Sequence, residues 1–178
     1  MGSIKPAIHA HPFVAVMFNR ADQLKTILGV LENRFGSILS AGPIYRVSDF
    51  SDYYEKEFGD QLQKQFFVFQ KPASLENFYQ IKVWTNELEL DTNPGTRQRI
   101  LNIDPGYLEP SKLVLYSSKN FSHRTYCGAG IFAEITMSFV HGDFTRLPWT
   151  YDDYYWEDNR KFLRDVRTQI VKMSRNNL

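Results

Sequence analysis

Asn102-Ile103-Asp104 sets two oxygen-bearing side chains two residues apart. On a strand alternate residues share a face, so Asn102 and Asp104 point together and Ile103 points away. Oxygens placed this way suit Mg2+, which takes one or two carboxylates and leaves its other positions to water and ligand phosphate. The competing reading has Asp104 brace a turn at Pro105-Gly106, a common duty for Asp before such a pair. His123-Arg124 supplies an imidazole that titrates near neutrality and a guanidinium fork, the groups a phosphate or carboxylate calls for. Arg97, Arg99, Lys112 and Lys119 lie close by in sequence. Glu134 shares a strand face with Phe132, Thr136 and Ser138. It is a metal ligand or general base if that face turns toward Asp104 and His123, and an ordinary exposed acid if it does not. The expected roles are His123 and Glu134 for catalysis, Arg99, Arg124, Lys112 and Tyr107 for a phosphorylated ligand, and Asp104 with Asn102 for the metal.

Other strings carry weaker chemistry. Asp52-Tyr53-Tyr54-Glu55-Lys56-Glu57 lies in a long polar loop, and long loops in compact domains are often functional. Thr85, Asn86, Glu87 and Glu89 read as the polar end of a helix. Trp149, Tyr151, Tyr154, Tyr155 and Trp156 interleave with acids; they suit a ring-bearing ligand, a dimer contact or the anchoring of a last helix. Cys127 with His123 four residues earlier is a poor nucleophile pair, and a small buried thiol is the plainer reading. Gly128-Ala129-Gly130 is too short for a dinucleotide fingerprint and reads as a turn.

The elements that must position these groups follow from periodicity. Phe13 to Phe18 is an apolar run without alternation, the mark of a central strand buried on both faces. Asn19 caps a helix whose Leu24, Ile27, Leu28, Leu31 and Phe35 form one stripe, stopped by Gly36. Ile38 to Val47 is a strand interrupted by Gly42-Pro43, and Gln65 to Gln70 another. Ser74 caps a second helix with Leu75, Phe78, Ile81, Trp84 and Leu88 inward, broken by Asp91-Thr92-Asn93-Pro94-Gly95. Ile100 to Asp104 is the next strand. This order is that of an α+β, ferredoxin-like split β-α-β core (βαββαβ). The core spans 13–104, and an extension over 105–178 adds a β-hairpin and a final helix in one domain. In that extension Leu113 to Tyr116 is a short strand, and Ile131 to Phe139 alternates as a half-buried strand does. His141-Gly142-Asp143 is a turn, and Phe162, Leu163, Val166, Ile170 and Met173 form the last helical stripe from a start at Asp152 or Asp153.

Composition narrows the function classes. Twenty-one basic and 20 acidic side chains give a net charge of +1, against a general polyanion binder. One cysteine in 178 residues allows no internal disulfide framework and suits a reducing compartment. There is no apolar run of about 18 residues, so no membrane span is expected. Met1 to Pro12 lacks the apolar stretch of a secretory signal, so a cytoplasmic location is expected.

Several polar strings resemble the bacterial family described as domain of unknown function 4416. They are Asp52-Tyr53-Tyr54-Glu55-Lys56-Glu57, Thr85-Asn86-Glu87-Leu88-Glu89, Asn102 to Leu108, His123-Arg124-Thr125-Tyr126, Ile131 to Thr136 and Leu147-Pro148-Trp149-Thr150-Tyr151. The resemblance runs from about Phe13 into the last helix and implies no reaction. Members sometimes carry a GTP-binding label, yet this sequence lacks the G-x-x-x-x-G-K-[ST] loop that cradles phosphates. Arg99-Ile100-Leu101-Asn102-Ile103-Asp104 also resembles, in layout, the Arg-x-x-Asp-x-Asp string of hydroxymethyl-dihydropterin pyrophosphokinase, whose two aspartates hold Mg2+ against ATP. Asn102 replaces the first acid, so only Asp104 keeps the metal-ligating role.

Together these readings favour a protein that binds or transforms a phosphorylated or nucleotide-like small molecule, with Mg2+ as the expected cofactor. A non-catalytic homodimer through the C-terminal aromatic stretch is the alternative. RNA binding on the sheet ranks last, since no Lys/Arg-Gly-Phe-like string sits on a central strand.

Overall fold

The computed structural model describes residues 8–92 and 99–176. The expected breaker Asn93-Pro94-Gly95, the nearby Arg97 and the first seven residues lie outside the described residues.

In chain order the elements are β1 (His9–Phe18), α1 (Ala21–Phe35), β2 (Ile38–Ala41), β3 (Tyr45–Arg46), a short 3-10 turn (Val47–Asp49), α2 (Glu55–Phe58), β4 (Gln63–Phe69), β5 (Ala73–Ser74) and α3 (Gln80–Asp91). Then follow β6 (Leu101–Glu109), β7 (Lys112–Ser117), β8 (Thr125–Gly128), β9 (Ile131–Val140), β10 (Asp143–Arg146), α4 (Asp152–Tyr155) and α5 (Glu157–Asn176). Among the described residues the strands form a ten-stranded antiparallel sheet in the order β10-β9-β7-β6-β1-β4-β2, with β3 beside β4, β5 beside β1 and β8 beside β9. Among the described residues no helix is long and apolar enough to cross a membrane.

The sheet is covered on both faces. Val14, Val16 and Phe18 of β1 pack with Leu24, Ile27 and Leu31 of α1 and with Ile81 of α3. The residues between them, Phe13 and Ala15, pack with Phe66 and Val68 of β4 and with Phe162, Leu163, Val166 and Ile170 of α5. Strand alternation therefore sends successive β1 residues into two cores, which is why the run carries no polar residue. A smaller cluster of Met17, Val47, Phe58 and Leu62 pins the segment between β3 and β4 onto the α5 face.

Local chemistry sets the boundaries. Asn19 does not cap α1; Arg20 takes the cap position, and the Gln23 side chain accepts from the N–H groups of both. Gly36 ends α1 at φ 84°, a left-handed conformation that favours glycine. α3 begins at Gln80 and not after Ser74, because Ala73 and Ser74 pair with β1. His141 and Gly142 both have positive φ, the two-residue hairpin turn that matches sheet twist.

Asp104 does not brace a turn at Pro105-Gly106: β6 runs straight through both residues to Glu109, pairing Asp104 with Ala15 and Pro105 with Val14 of β1. A Cβ on Gly106 would lie 2.0 Å from the Val114 carbonyl oxygen, so glycine is what lets β7 close on β6 there.

Candidate functional site

The site begins with a defect in the sheet. β6 pairs with β1 from Leu101 to Leu108, but with β7 only from Gly106 to Glu109. Beyond Leu115, β7 continues beside β9 alone. The stretch Leu101–Pro105 is thus left with one open edge. Buried backbone groups left without partners cost about 1–3 kcal/mol each, and α3 supplies the partners. Glu89 Oε1 accepts from the Ile103 N–H at 2.8 Å, and Lys82 Nζ donates to the Ile103 carbonyl at 2.8 Å. Both side chains are buried. Ile103 turns its polar groups to the open edge, so Pro105, two residues on, turns there the N–H that it lacks. Proline thereby removes a ladder bond where β7 departs.

Asp104 lies in this gap on the α5 face. Its Oδ1 accepts from Lys82 Nζ at 3.2 Å and its Oδ2 from Asn102 Nδ2 at 2.7 Å. Asn102 Oδ1 accepts from Arg99, which also holds Glu89 and, through two parallel bonds, Glu57 of α2. Though set among protein atoms, the Asp104 side chain keeps 27% of its surface open, and this opening is the Asp104 well. Burial pushes its carboxyl up, but the Lys82 and Lys64 charges and the bonds from Lys82 and Asn102 outweigh it and hold it below its ordinary value. Glu89, more completely buried, ends above its ordinary value because desolvation outweighs Lys82, the Ile103 N–H and Arg99. Burial, and then the Asp104 charge, raise the hydroxyls of Tyr54 and Tyr154. Burial also raises Tyr151, with Glu134 and Asp104 adding to it against Arg124. Tyr54, Tyr151 and Tyr154 therefore lie within reach of the Asp104 charge, and their hydroxyls keep their protons. Lys64 is held beneath by Asp153 at 2.7 Å and lies 4.5 Å from the Tyr154 ring centre.

The second half of the site stands on β9. Glu134 Oε2 accepts from Arg124 Nε at 2.7 Å and meets His123 Nε2 at 2.9 Å, while Oε1 accepts from Thr136. The His123 ring lies parallel to the rings of Phe121 and Trp149, at interplanar angles of 4° and 7°. Trp149 and Thr150 are fixed because the far edge of β9 is bare between its β8 and β10 pairings. Trp149 Nε1 donates to the Ile135 carbonyl and Thr150 Oγ1 to the Thr136 carbonyl. The next residue, Tyr151, is thereby aimed at Arg124, which donates to its hydroxyl at 3.0 Å. At the rim Lys119 Nζ donates to Tyr53 at 3.0 Å, and that bond, with the lysine charge, lowers the Tyr53 phenol.

Two clusters of the expected residues thus form, Arg99-Asn102-Asp104 and His123-Arg124-Glu134, with Tyr151 between them. Two expected residues lie apart. Lys112 sits at the β6–β7 hairpin, paired with Glu109. Tyr107 is on the opposite sheet face against Phe78 and Tyr116. Arg99 and Arg124 reach the site but are tied to carboxylates. Among the described residues no three His, Cys, Asp or Glu side chains are placed to hold a metal ion. Of the aromatic stretch, Trp149 and Tyr151 serve the site. Tyr154 packs on Phe66 and Trp156 on Tyr45 and Phe50.

Lys82 and Lys64 escaped the sequence reading. Glu89 stands not at an exposed polar helix end but 2% exposed in the interior. Lys82, Thr85 and Glu89 recur at i, i+3 and i+7, a buried polar stripe beside the apolar one, and that spacing was the available signal. Two hollows lie elsewhere. One of about 360 Å3 between α1 and α3 is floored by Ile27, Val30, Leu88 and Ile100. The other, of about 400 Å3, is an open groove between the β2 edge and α5.

A family model described as domain of unknown function, DUF4416, matches residues 8–169. No curated protein and no solved structure matches the chain.

Proposed function

We propose that this chain, which belongs to the DUF4416 family, binds a phosphorylated or nucleotide-like small molecule in the well at Asp104. The observation that carries the reading is a carboxylate held ionised in the interior yet open over 27% of its side-chain surface. A perturbed acid that keeps an opening to solvent is a candidate for a functional role. Asp104 and the phenols of Tyr54 and Tyr151 offer acceptors and donors to the polar edge of a ligand. Lys119 at the rim, bonded to a phenol and not to an acid, is the cation placed to meet phosphate. The expected Mg2+ is optional in this reading, because Lys82 and Asn102 already donate to both Asp104 oxygens. The succession β1-α1-β2-β4-α3-β6 with spatial order β6-β1-β4-β2 supports a ferredoxin-like core within the larger sheet. The homodimer alternative is less favoured, since Tyr154 and Trp156 of its aromatic stretch pack inward. RNA binding on the sheet is less favoured for the same kind of reason, because α1, α3 and α5 cover the faces of β1 and β4.

A thermal-shift panel of nucleosides, nucleotides and sugar phosphates, each with and without Mg2+, tests the reading. A ligand at about 100 times its Kd stabilises by about 2.7 kcal/mol, roughly 5–10 °C for a chain of this size. The shift is expected to vanish in Asp104→Asn, and Lys119→Ala is expected to weaken phosphorylated ligands more than their nucleosides. No shift at millimolar ligand, or the same shift in Asp104→Asn, overturns it.

A further inference from the structure

We infer that His123 and Glu134 form a proton-transfer pair, with the imidazole as general base toward a hydroxyl or water at the rim of the Asp104 well. Its natural substrate rests on the ligand proposed above; the pair itself does not.

Three features carry the inference. First, the imidazole is fixed in plane and in rotation. Trp149 and Phe121 lie parallel to it, with ring centres 4.9 and 5.9 Å away, and Glu134 anchors Nε2 at 2.9 Å. Second, Nδ1 meets no partner among the described residues, and the ring keeps 18% of its side-chain surface open. One nitrogen is held on a carboxylate while the other has no partner among the described residues, the arrangement by which a carboxylate orients a histidine base and steadies the imidazolium that forms. Third, Arg124 donates to the same Glu134 oxygen that His123 meets. The buried carboxylate therefore keeps a cationic partner when the imidazole is neutral, and the proton can come and go without stranding a charge. A histidine serving only to neutralise Glu134 would be redundant beside Arg124. The charged groups that face the ring are Glu134 from β9 and Arg124 from its own loop, with the Tyr151 phenol beside Arg124.

In the step proposed, the O–H bond of the hydroxyl or water breaks, its proton passes to Nδ1, and the electron pair stays on oxygen, which becomes the nucleophile. Phe121 and Trp149 are positioning residues.

p-Nitrophenyl acetate probes the pair without needing the well. Water adds through oxygen to the acetyl carbon, the ester C–O bond breaks, p-nitrophenolate leaves with the electron pair, and Nδ1 returns its proton to solvent. The full chain is expected to hydrolyse the ester at least about tenfold faster than His123→Gln or Glu134→Gln. His141→Asn, in the β9–β10 turn, should match the wild type. Nitrogen-15 NMR of the imidazoles in the unaltered protein gives an independent reading: His123 should carry its proton on Nε2 with Nδ1 bare. Equal rates in wild type and His123→Gln, or a proton resident on Nδ1, overturns the inference. His123-dependent hydrolysis without nucleotide stabilisation keeps the pair and sinks the ligand reading. Stabilisation without His123 dependence does the reverse.

Discussion

Lys82→Met tests the repair of the open edge of β6. The Lys82 ammonium is 6% exposed; it donates to the Ile103 carbonyl at 2.8 Å and to Asp104 at 3.2 Å, and it stands 3.7 Å from Glu89. Methionine keeps the volume but removes the charge, leaving a buried carbonyl without its donor and two acids without their shared cation. Stranding one partner of a buried pair costs about 3–5 kcal/mol. Asp104 is partly open to water, which screens it, so about 3 kcal/mol is the sounder figure. For a chain of this length that is roughly 6–12 °C in Tm. Urea denaturation of Lys82→Met, Asp104→Asn and the double variant separates the contributions. Removing the stranded acid should return about 1–2 kcal/mol, so the double variant is more stable than the sum of the singles predicts. A Lys82→Met cost below about 1 kcal/mol, or additivity within about 0.5 kcal/mol, would refute the claim that Lys82 stands in for a missing strand.

Gly106→Ala should cost about 3 kcal/mol or more, because its Cβ would meet the Val114 carbonyl oxygen at 2.0 Å and backbone must move; faster amide exchange in β7 would report it. Thr150→Val removes the hydroxyl that accepts from the Leu147 N–H at 2.7 Å and donates to the Thr136 carbonyl at 2.5 Å. A loss of about 2–3 kcal/mol is expected, with the ring signals of Tyr151 shifted. Folding favours the ionised form of Asp104, so its contribution is present above its ordinary value of 3.8 and lost as pH falls through the depressed one. Glu89 runs oppositely: its contribution is full below its ordinary value of 4.5 and declines as pH rises through the raised one. Urea midpoints across that acid range should therefore fall less steeply toward low pH in Asp104→Asn than in wild type, and more steeply in Glu89→Gln. Parallel curves would count against both assignments.

Where the fold depends on local periodicity, the sequence was legible. The unbroken apolar run of β1 and the stripe of α1 each follow from a single face or pair of faces meeting a core. The alternation of β9 points the wrong way at its centre, where Ile135 is 43% exposed while Glu134 and Thr136 are buried. Pro105-Gly106 was not legible, because its cause is another strand: proline marks where β7 leaves, glycine where it closes in. The start of α3 was missed for a similar reason, since Ala73 and Ser74 answer to β1 and not to the helix ahead of them. At the site, the types of Asp104, His123, Arg124 and Glu134 were readable; the last three form one cluster, and Tyr151 stands between it and Asp104. That Arg99 and Arg124 are tied to Glu57, Glu89 and Glu134 was hidden, since those acids lie 10 to 42 residues away in sequence.

The well itself is tested most directly by NMR of tyrosine-ring-labelled protein titrated with ATP. Progressive shifts of the Tyr54, Tyr151 and Tyr154 rings, absent in Asp104→Asn, are the expected result. Rings that stay still while amides of Ile27, Val30 and Leu88 move would place the ligand between α1 and α3 and contradict the account.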